Sequence, residues 1–445
     1  MRYTPACCLF ILAACSDITR VDNTSVTQTS QFDNPAGAVL RRNGAYRDLL
    51  VALSSQVEYS GIISDELTEG GGAQAVADRR VITALDQRDG STFPYLELSA
   101  ARIEALRAIQ SLETYNPHPP VRIGELFALS AFVETAFVED MCSGIPLAEL
   151  GADGLPISGQ GISRSAMIRR AFQDFDSASA HVADSDGTTD ATIAPLIAIG
   201  RARALVDSGD LDGATSALAA VPAGYAYVMQ YTTTSSPANL LGRDLITSLS
   251  VSVSDREGGV GLPFVSLGDP RIPIDTNSQA TFANGPQYVF QPYVGNAQGT
   301  PITLASAIEA SLVRAEGLLA AGNVQAWADT LNTLRTAFSD TILSNHPLGP
   351  DSTTSASPQL RTDVMFRERA FWLFLTGHRQ GDARRLIRQY GRSANSVFPS
   401  GPYWGTPGSS YGSDVTFIPL ERSRIRRRAR TPVRMSSAAP SGSAT

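Results

Sequence analysis

The sequence predicts a mainly α protein in which paired helices alternate with long irregular segments and β structure is scarce. Three observations carry that prediction. Apolar residues recur at helical spacing through much of the chain. Two stretches break at Gly209-Asp210 and Gly322-Asn323 and resume as helix on the other side. Residues 223–300 and 389–417 are instead rich in Tyr, Thr, Ser, Gly, Asn and Pro.

The first fourteen residues place Arg2 ahead of the apolar run ACCLFILAA. A positive end, an apolar core and small residues before a cut are the layout of a secretory signal. The run is too short to span a bilayer, which takes about 20 residues. Leu12-Ala13-Ala14-Cys15 resembles a bacterial lipobox, which implies cleavage before Cys15 and a lipid on its sulfur. The competing reading is an ordinary signal with a chance cysteine. Each buried CH₂ contributes about 0.8 kcal/mol, so several acyl chains anchor firmly. Residues 1–14 therefore read as signal peptide, and the polar stretch 15–36 as a lipidated flexible tether. Cleavage removes Cys7 and Cys8 and leaves Cys15 and the lone Cys142, which form neither a disulfide framework nor a zinc spacing.

Residues 34–55 begin the body, with Asn34 placed to cap a helix and Val39, Asn43, Tyr46 and Leu50 on one face. Ile103, Leu106, Ile109 and Leu112 repeat the spacing, as do Leu126, Leu129, Val133, Ala136 and Phe137. Residues 163–183 form another amphipathic helix with Ser163 as its cap. Residues 197–222 and 308–335 are two look-alike hairpins whose glycines supply the left-handed residue that ends a helix. Ala198, Ala202 and Leu205 give one hairpin a small-residue face, opposed by Ala214, Leu218 and Val221. This is the logic of a tetratricopeptide-type repeat without its full consensus; two unrelated hairpins are the alternative. The irregular segments carry weak strand patterns at 246–255 and 287–295, and their aromatic residues argue against plain disorder.

Composition narrows the function. A 445-residue chain with 43% hydrophobic residues has material for a sizeable core, and a net charge of −7 argues against general nucleic-acid binding. All 36 basic residues are Arg, which removes Schiff-base and Lys-nucleophile chemistry. No G-x-S-x-G, H-E-x-x-H or Walker loop is present, and the four histidines, His118, His181, His346 and His378, are scattered. Asp184, Asp186 and Asp190 offer oxygen ligands for calcium but do not follow an EF-hand, and a polar linker is the better reading. Asp65-Glu66 reads as a solvated or capping pair, Cys142 as a small buried hydrophobe, and the Gly-rich 68–74 as a loop. No catalytic residue, cofactor or metal is expected.

Several segments together resemble the SusD/RagB-like outer-membrane nutrient-binding lipoproteins. They are the lipobox cysteine; the aromatic-rich helix ending in Gly144-Ile145-Pro146-Leu147; Asp269-Pro270-Arg271; and the helix bearing Arg314, Ala315 and Glu316. Glu368-Arg369 followed by Gly377, His378, Arg379, Asp382 and Arg385, and the closing FIPLE at 417–421, complete the set. Thr376 stands where the family often has Glu, in a turn read as structural. The resemblance implies a superhelix of tetratricopeptide-like hairpins packed against the loop-rich half. It divides the body into an N-terminal helical region at 37–235 and a C-terminal region at 236–421. It implies a non-enzymatic protein, lipid-anchored at the outer membrane and facing the cell surface, that captures an oligosaccharide or similar nutrient. The partner it implies is a SusC-like TonB-dependent barrel. A tetratricopeptide-like envelope scaffold for a protein or peptide is the alternative. The tail 422–445 departs from the family and reads as a basic, disordered extension; contact with anionic lipid or nucleic acid is the other reading.

Sugars present C–H-rich faces to flat aromatic rings. The loop aromatics Trp404, Tyr403, Tyr288, Tyr293, Tyr95 and Phe93 are therefore the ligand-binding candidates. Trp404 ranks first because SGPYWGTPGSS offers no helical face to bury it. Trp327 and Trp372 fall at apolar helical spacing and are expected in the core.

Overall fold

The computed structural model describes residues 32–70, 75–82, 93–151, 154–157, 159–183, 190–233, 237–282 and 285–417. Cys15, Asp184, Asp186 and the tail 422–445 lie outside these residues.

The chain opens with α1 (Pro35–Ile63). The Asn34 side chain accepts the Gly37 N–H at 2.9 Å, and Pro35 sits where its missing N–H costs nothing. The expected face needs correction, because Asn43 is exposed and the buried stripe runs through Ala38, Ala45, Leu49 and Leu53. From Ala52 to its end the helix is buried on every side. A helix covered all round is an interior rod, and this explains its weak amphipathic pattern.

The following elements are β1 (Leu67–Glu69), α2 (Ala75–Asp78), α3 (Phe93–Tyr115) and α4 (Val121–Asp140). Four short strands come next: β2 (Ile145–Pro146), β3 (Glu149–Leu150), β4 (Pro156–Ile157) and β5 (Gly161–Ile162). Then come α5 (Arg164–Ala183), α6 (Asp190–Ser208), α7 (Leu211–Ala217), β6 (Ala226–Met229), α8 (Leu240–Gly242) and β7 (Val251–Val253). After β8 (Ile274–Phe282), β9 (Gly285–Phe290) and β10 (Ile302–Ser306) the chain closes with α9 (Ala307–Ala320), α10 (Val324–Ala337), α11 (Thr341–Ser344), α12 (Pro358–Trp372) and α13 (Arg379–Arg388).

Each helix packs on the next through α3, α4, α5, α6, α7, α9 and α10, so the hairpins stack. Gly209 (φ +89°) and Gly322 (φ +77°) take the left-handed conformation at the two hairpin turns. Asp210 caps α7 by accepting the Gly213 N–H at 2.8 Å, and Ser163 caps α5 by accepting the Ala166 N–H at 3.2 Å. Among the described residues the named strands form antiparallel pairs: β1–β7, β2–β5, β3–β4, β6–β10 and β8–β9. One apolar core runs from Ala38 to Phe417, and a second joins α9, α10 and α12 around Trp327, which is fully buried. Among the described residues no helix is long and apolar enough to cross a membrane.

Helix α13 is the tie between these layers. Arg379 holds Asp65 through two bonds of 2.5 and 2.8 Å. Asp382 accepts from Arg369 Nε at 2.7 Å and Arg385 Nη1 at 2.9 Å, and Arg385 also pairs with Glu316 on α9. Arg384 donates to the carbonyls of Val138, Glu139 and Met141, where α4 ends. Arg203 on α6 grips Glu139 with two bonds of 2.7 Å and reaches the Gly377 carbonyl. All of these arginines are buried. The motif that stands out in sequence is therefore architectural, as expected for its turn.

Candidate ligand-binding cleft

A cleft of about 620 Å³ opens where β10, the start of α9 and the end of α12 meet the 223–226 turn. Its construction begins with Asp269-Pro270-Arg271. Asp269 accepts Arg271 Nε at 2.9 Å and Nη2 at 2.7 Å, and Arg271 Nη1 donates to Glu368 at 2.8 Å. Arg335 donates to the other Glu368 oxygen at 2.7 Å. Burial alone would raise Asp269, but the Arg271 guanidinium outweighs it and holds the carboxyl below its ordinary range.

This clamp fixes an aromatic wall. The Arg271 guanidinium lies 5.1 Å from the ring centroids of both Phe371 and Trp372. Trp372 Nε1 donates to Glu368 at 3.2 Å, and its ring meets Phe338 edge-on at 5.5 Å. Trp372 packs against the second core, as its spacing implied, but it is only half-buried and also lines the cleft wall. It is the last residue of α12, four residues after Glu368.

Glu309 and His378 add buried ionisable groups to the lining. Glu309 Oε1 lies 2.9 Å from His378 Nε2, and His378 Nδ1 lies 2.8 Å from Thr376 Oγ1. Burial opposes charge on both. For Glu309 the neighbouring His378, Arg203 and Arg369 outweigh burial and keep the carboxyl ionised, whereas burial lowers His378. An aromatic wall, a largely apolar lining and a few fixed polar groups make a surface that binds and orients.

The six sequence candidates do not converge here. Tyr293 alone lines the cleft; it is buried, and Asn239 Nδ2 donates to its hydroxyl at 3.4 Å. Tyr95 is buried against Phe137 and donates to the Pro146 carbonyl at 2.8 Å. Tyr288 lies half-buried on β9, its backbone N–H donating to Ser252 Oγ at 2.9 Å. Phe93 begins α3, and its side chain lies outside the described ones. Tyr403 is buried and donates to Asp78 at 2.6 Å, while Trp404 is half-buried between Tyr403 (5.6 Å) and Phe282 (6.4 Å). Sequence reasoning thus missed Trp372 and Phe290, which line the cleft, and gave Arg271 no part in the site. Among the described residues no group of three or more His, Cys, Asp or Glu could hold a metal ion.

No family model and no curated protein matches the chain. Solved structures do. A SusD superfamily protein from Bacteroides fragilis superposes with a TM-score of 0.61 over 89% of this chain and 98% of its own, at 12% identity. A SusD homolog from Bacteroides thetaiotaomicron gives 0.59 over 88% and 96%, also at 12% identity. A SusD-like carbohydrate binding protein from Bacteroides vulgatus gives 0.58 over 79% and 83%, at 13% identity. At such identities the likeness speaks to architecture alone, and it covers 83–98% of each of these neighbours: this chain has the fold seen in these SusD-like structures.

Proposed function

We propose that the protein is a non-enzymatic carbohydrate-binding protein whose cleft takes a sugar against Trp372. The observation that carries this reading is the half-buried indole of Trp372, fixed at the cleft wall by Glu368 and Arg271. A structural neighbour described as a carbohydrate binding protein supports the ligand class. Trp404 and Tyr403, outside the cleft lining, form a second aromatic pair and stay candidates for a further sugar contact, as their rank in the sequence suggested. The lipobox at Cys15 supports anchorage at the outer membrane, and delivery of the nutrient to a SusC-like TonB-dependent barrel completes the proposal. The largely apolar lining also favours a second reading, a scaffold that takes an apolar peptide side chain.

A glycan and peptide array followed by calorimetric titration separates the two. On the first reading a glycan binds, and Trp372→Ala weakens it by tenfold or more, the usual loss of about 1–2 kcal/mol or more for an aromatic anchor. Trp404→Ala weakens it less. Trp327→Ala, in the second core, instead lowers stability by about 3–5 kcal/mol and leaves the affinity of the folded fraction alone. Peptide binding with no glycan binding supports the scaffold.

A further inference from the structure

Residues 398–414 are clipped to the turn that follows α2. The Gly412 N–H donates to the Arg79 carbonyl at 2.8 Å, the Asp414 N–H to the Arg80 carbonyl at 3.2 Å, and the Ile82 N–H to the Asp414 carboxylate at 2.7 Å. Arg80 is fully buried; its Nε donates to the Asp414 carbonyl at 2.8 Å and its Nη1 to the Pro399 carbonyl. On another side the 257–259 turn presses on the segment, and a Cβ added at Gly258 would meet Ser400 N at 2.3 Å.

Inside this seat two carboxyls from different elements meet. Tyr403 donates to Asp78 Oδ2 at 2.6 Å, and Tyr411 donates to Glu257 Oε1 at 2.9 Å. Ser254 donates to Glu257 Oε2 at 2.7 Å, and Asp78 Oδ1 is buried without a hydrogen-bond partner beside the Glu257 charge. Two buried carboxyls that face each other without counter-charge favour a proton on one of them. Both residues are buried, at 1% and 5% exposure, and among the described residues no arginine pairs with either. The charged groups around them are otherwise engaged. The Arg79 guanidinium lies 5.5 Å from the Tyr403 ring centroid, Arg80 serves backbone carbonyls, and Asp65 is held by Arg379. Glu69 on β1 adds negative charge beside Asp78.

We propose that this pair is a protonation-controlled clasp. With a proton between Asp78 and Glu257 the clasp holds Tyr403 and Tyr411 and seats the aromatic segment; without it like charges face each other in a dry site and the segment lifts, carrying Trp404. The direction of the effect follows from linkage. Burial pushes the Asp78 carboxyl up to about 7 and that of Glu257 well above its ordinary value, the latter with help from the Asp78 charge. Each carboxyl therefore holds its proton more tightly closed than open. The clasp is strongest below the ordinary carboxylate range and weakens as pH climbs through about 7 and beyond.

Hydrogen exchange of the full chain between pH 5 and 9 tests this, with α13 peptides as internal reference and rates corrected for intrinsic exchange. One linked proton changes the opening equilibrium by up to about tenfold per pH unit. Protection of residues 399–414 should fall by about tenfold or more relative to α13 across that range. Asp78→Asn/Glu257→Gln keeps the hydrogen-bonding groups and removes the titration, so its profile should stay flat. A flat wild-type profile, or the same fall in both chains, overturns the proposal. If the double variant loses α13 protection, Tyr403→Phe/Tyr411→Phe takes its place. That variant should exchange faster than wild type already at pH 5, and equal protection there overturns the clasp.

Discussion

The α13 junction and the seat of residues 398–414 both bury charge deeply, and they solve the problem in opposite ways. In the junction three buried carboxylates are met by guanidinium: Asp382 by Arg369 and Arg385, Glu316 by Arg385, Asp65 by Arg379. In the seat the carboxyls of Asp78 and Glu257 meet each other and two tyrosine hydroxyls. Counter-charge keeps a buried group ionised, whereas a carboxyl without it takes up a proton. At Asp382 the first arrangement keeps the carboxyl charged well into the acid range. The second ties the position of an aromatic segment to protonation.

The largest expected effect comes from breaking the junction. Arg385→Met leaves Glu316 without its guanidinium and Asp382 with Arg369 alone, all of them buried. Removing one partner of a buried ion pair costs about 3–5 kcal/mol. Thermal or denaturant unfolding should show a loss of that size. A loss below about 1 kcal/mol, the range of exposed pairs, would mean that the junction is far less dependent on matched charge than its geometry implies.

This contrast also explains what could be read from the sequence. Helices with an exposed face announced themselves: 163–183 read as amphipathic, and Met167, Ile168, Ala171, Phe175 and Ala178 form the buried stripe of α5, while Asn34 and Ser163 do cap. The rod-like α1 misled, because a helix buried all round has no stripe to find. The hairpin glycines were legible since a left-handed residue leaves a chemical mark. The arginine-rich junction was legible for the same reason: paired charges demand particular residues at particular places. The cleft was not. Trp372 follows apolar helical spacing and differs from a core residue only in that α12 ends with it. Conversely, the aromatics Tyr95, Tyr293 and Tyr403 look like free loop residues in sequence, yet each is buried with its hydroxyl hydrogen-bonded, Tyr95 within α3 itself. A tyrosine can bury its ring wherever the hydroxyl finds a partner, and local sequence does not reveal the partner.

A smaller effect, of opposite sign in the two regions, should appear on titration. Burial alone would raise Asp382, but Arg369 and Arg385 outweigh it and bring its carboxyl down to about 2. A depressed carboxyl contributes stability that is present above its unfolded value, near 4, and is lost as pH falls through the folded one. The junction should therefore weaken between about pH 4 and 2, by about 2 kcal/mol from this residue. Asp382→Asn should remove that part of the acid dependence while lowering stability at neutral pH. The clasp responds from the other side, weakening as pH rises. Denaturant melts at pH 3 and 7, run on wild type and Asp382→Asn, check the junction. An equal acid loss in both chains would show that Asp382 is not its source.

The smallest expected effect lies where the junction borders the cleft. Thr376 Oγ1 donates to the Leu373 carbonyl at 2.5 Å and lies 2.8 Å from His378 Nδ1, and Thr376 itself lines the cleft. The neutral imidazole gives its hydrogen, on Nε2, to the ionised Glu309, so Nδ1 is an acceptor and the single hydroxyl proton lies between it and the Leu373 carbonyl. Thr376→Val keeps the volume and β-branching and removes only this relay. The site is half-exposed, and the surrounding turn is also held by Gln56 and Arg203 at the Gly377 carbonyl. The loss in stability should therefore be about 1 kcal/mol, the net worth of an ordinary hydrogen bond. The more telling readout is the imidazole. His378 Nδ1 would lose its hydroxyl partner in the valine variant, so the His378 ring proton and carbon shifts should move while those of His118 and His346 stay fixed. A stability loss as large as that of Arg385→Met would place Thr376 inside the junction rather than at its edge, and would extend the charge-matched architecture to the cleft itself.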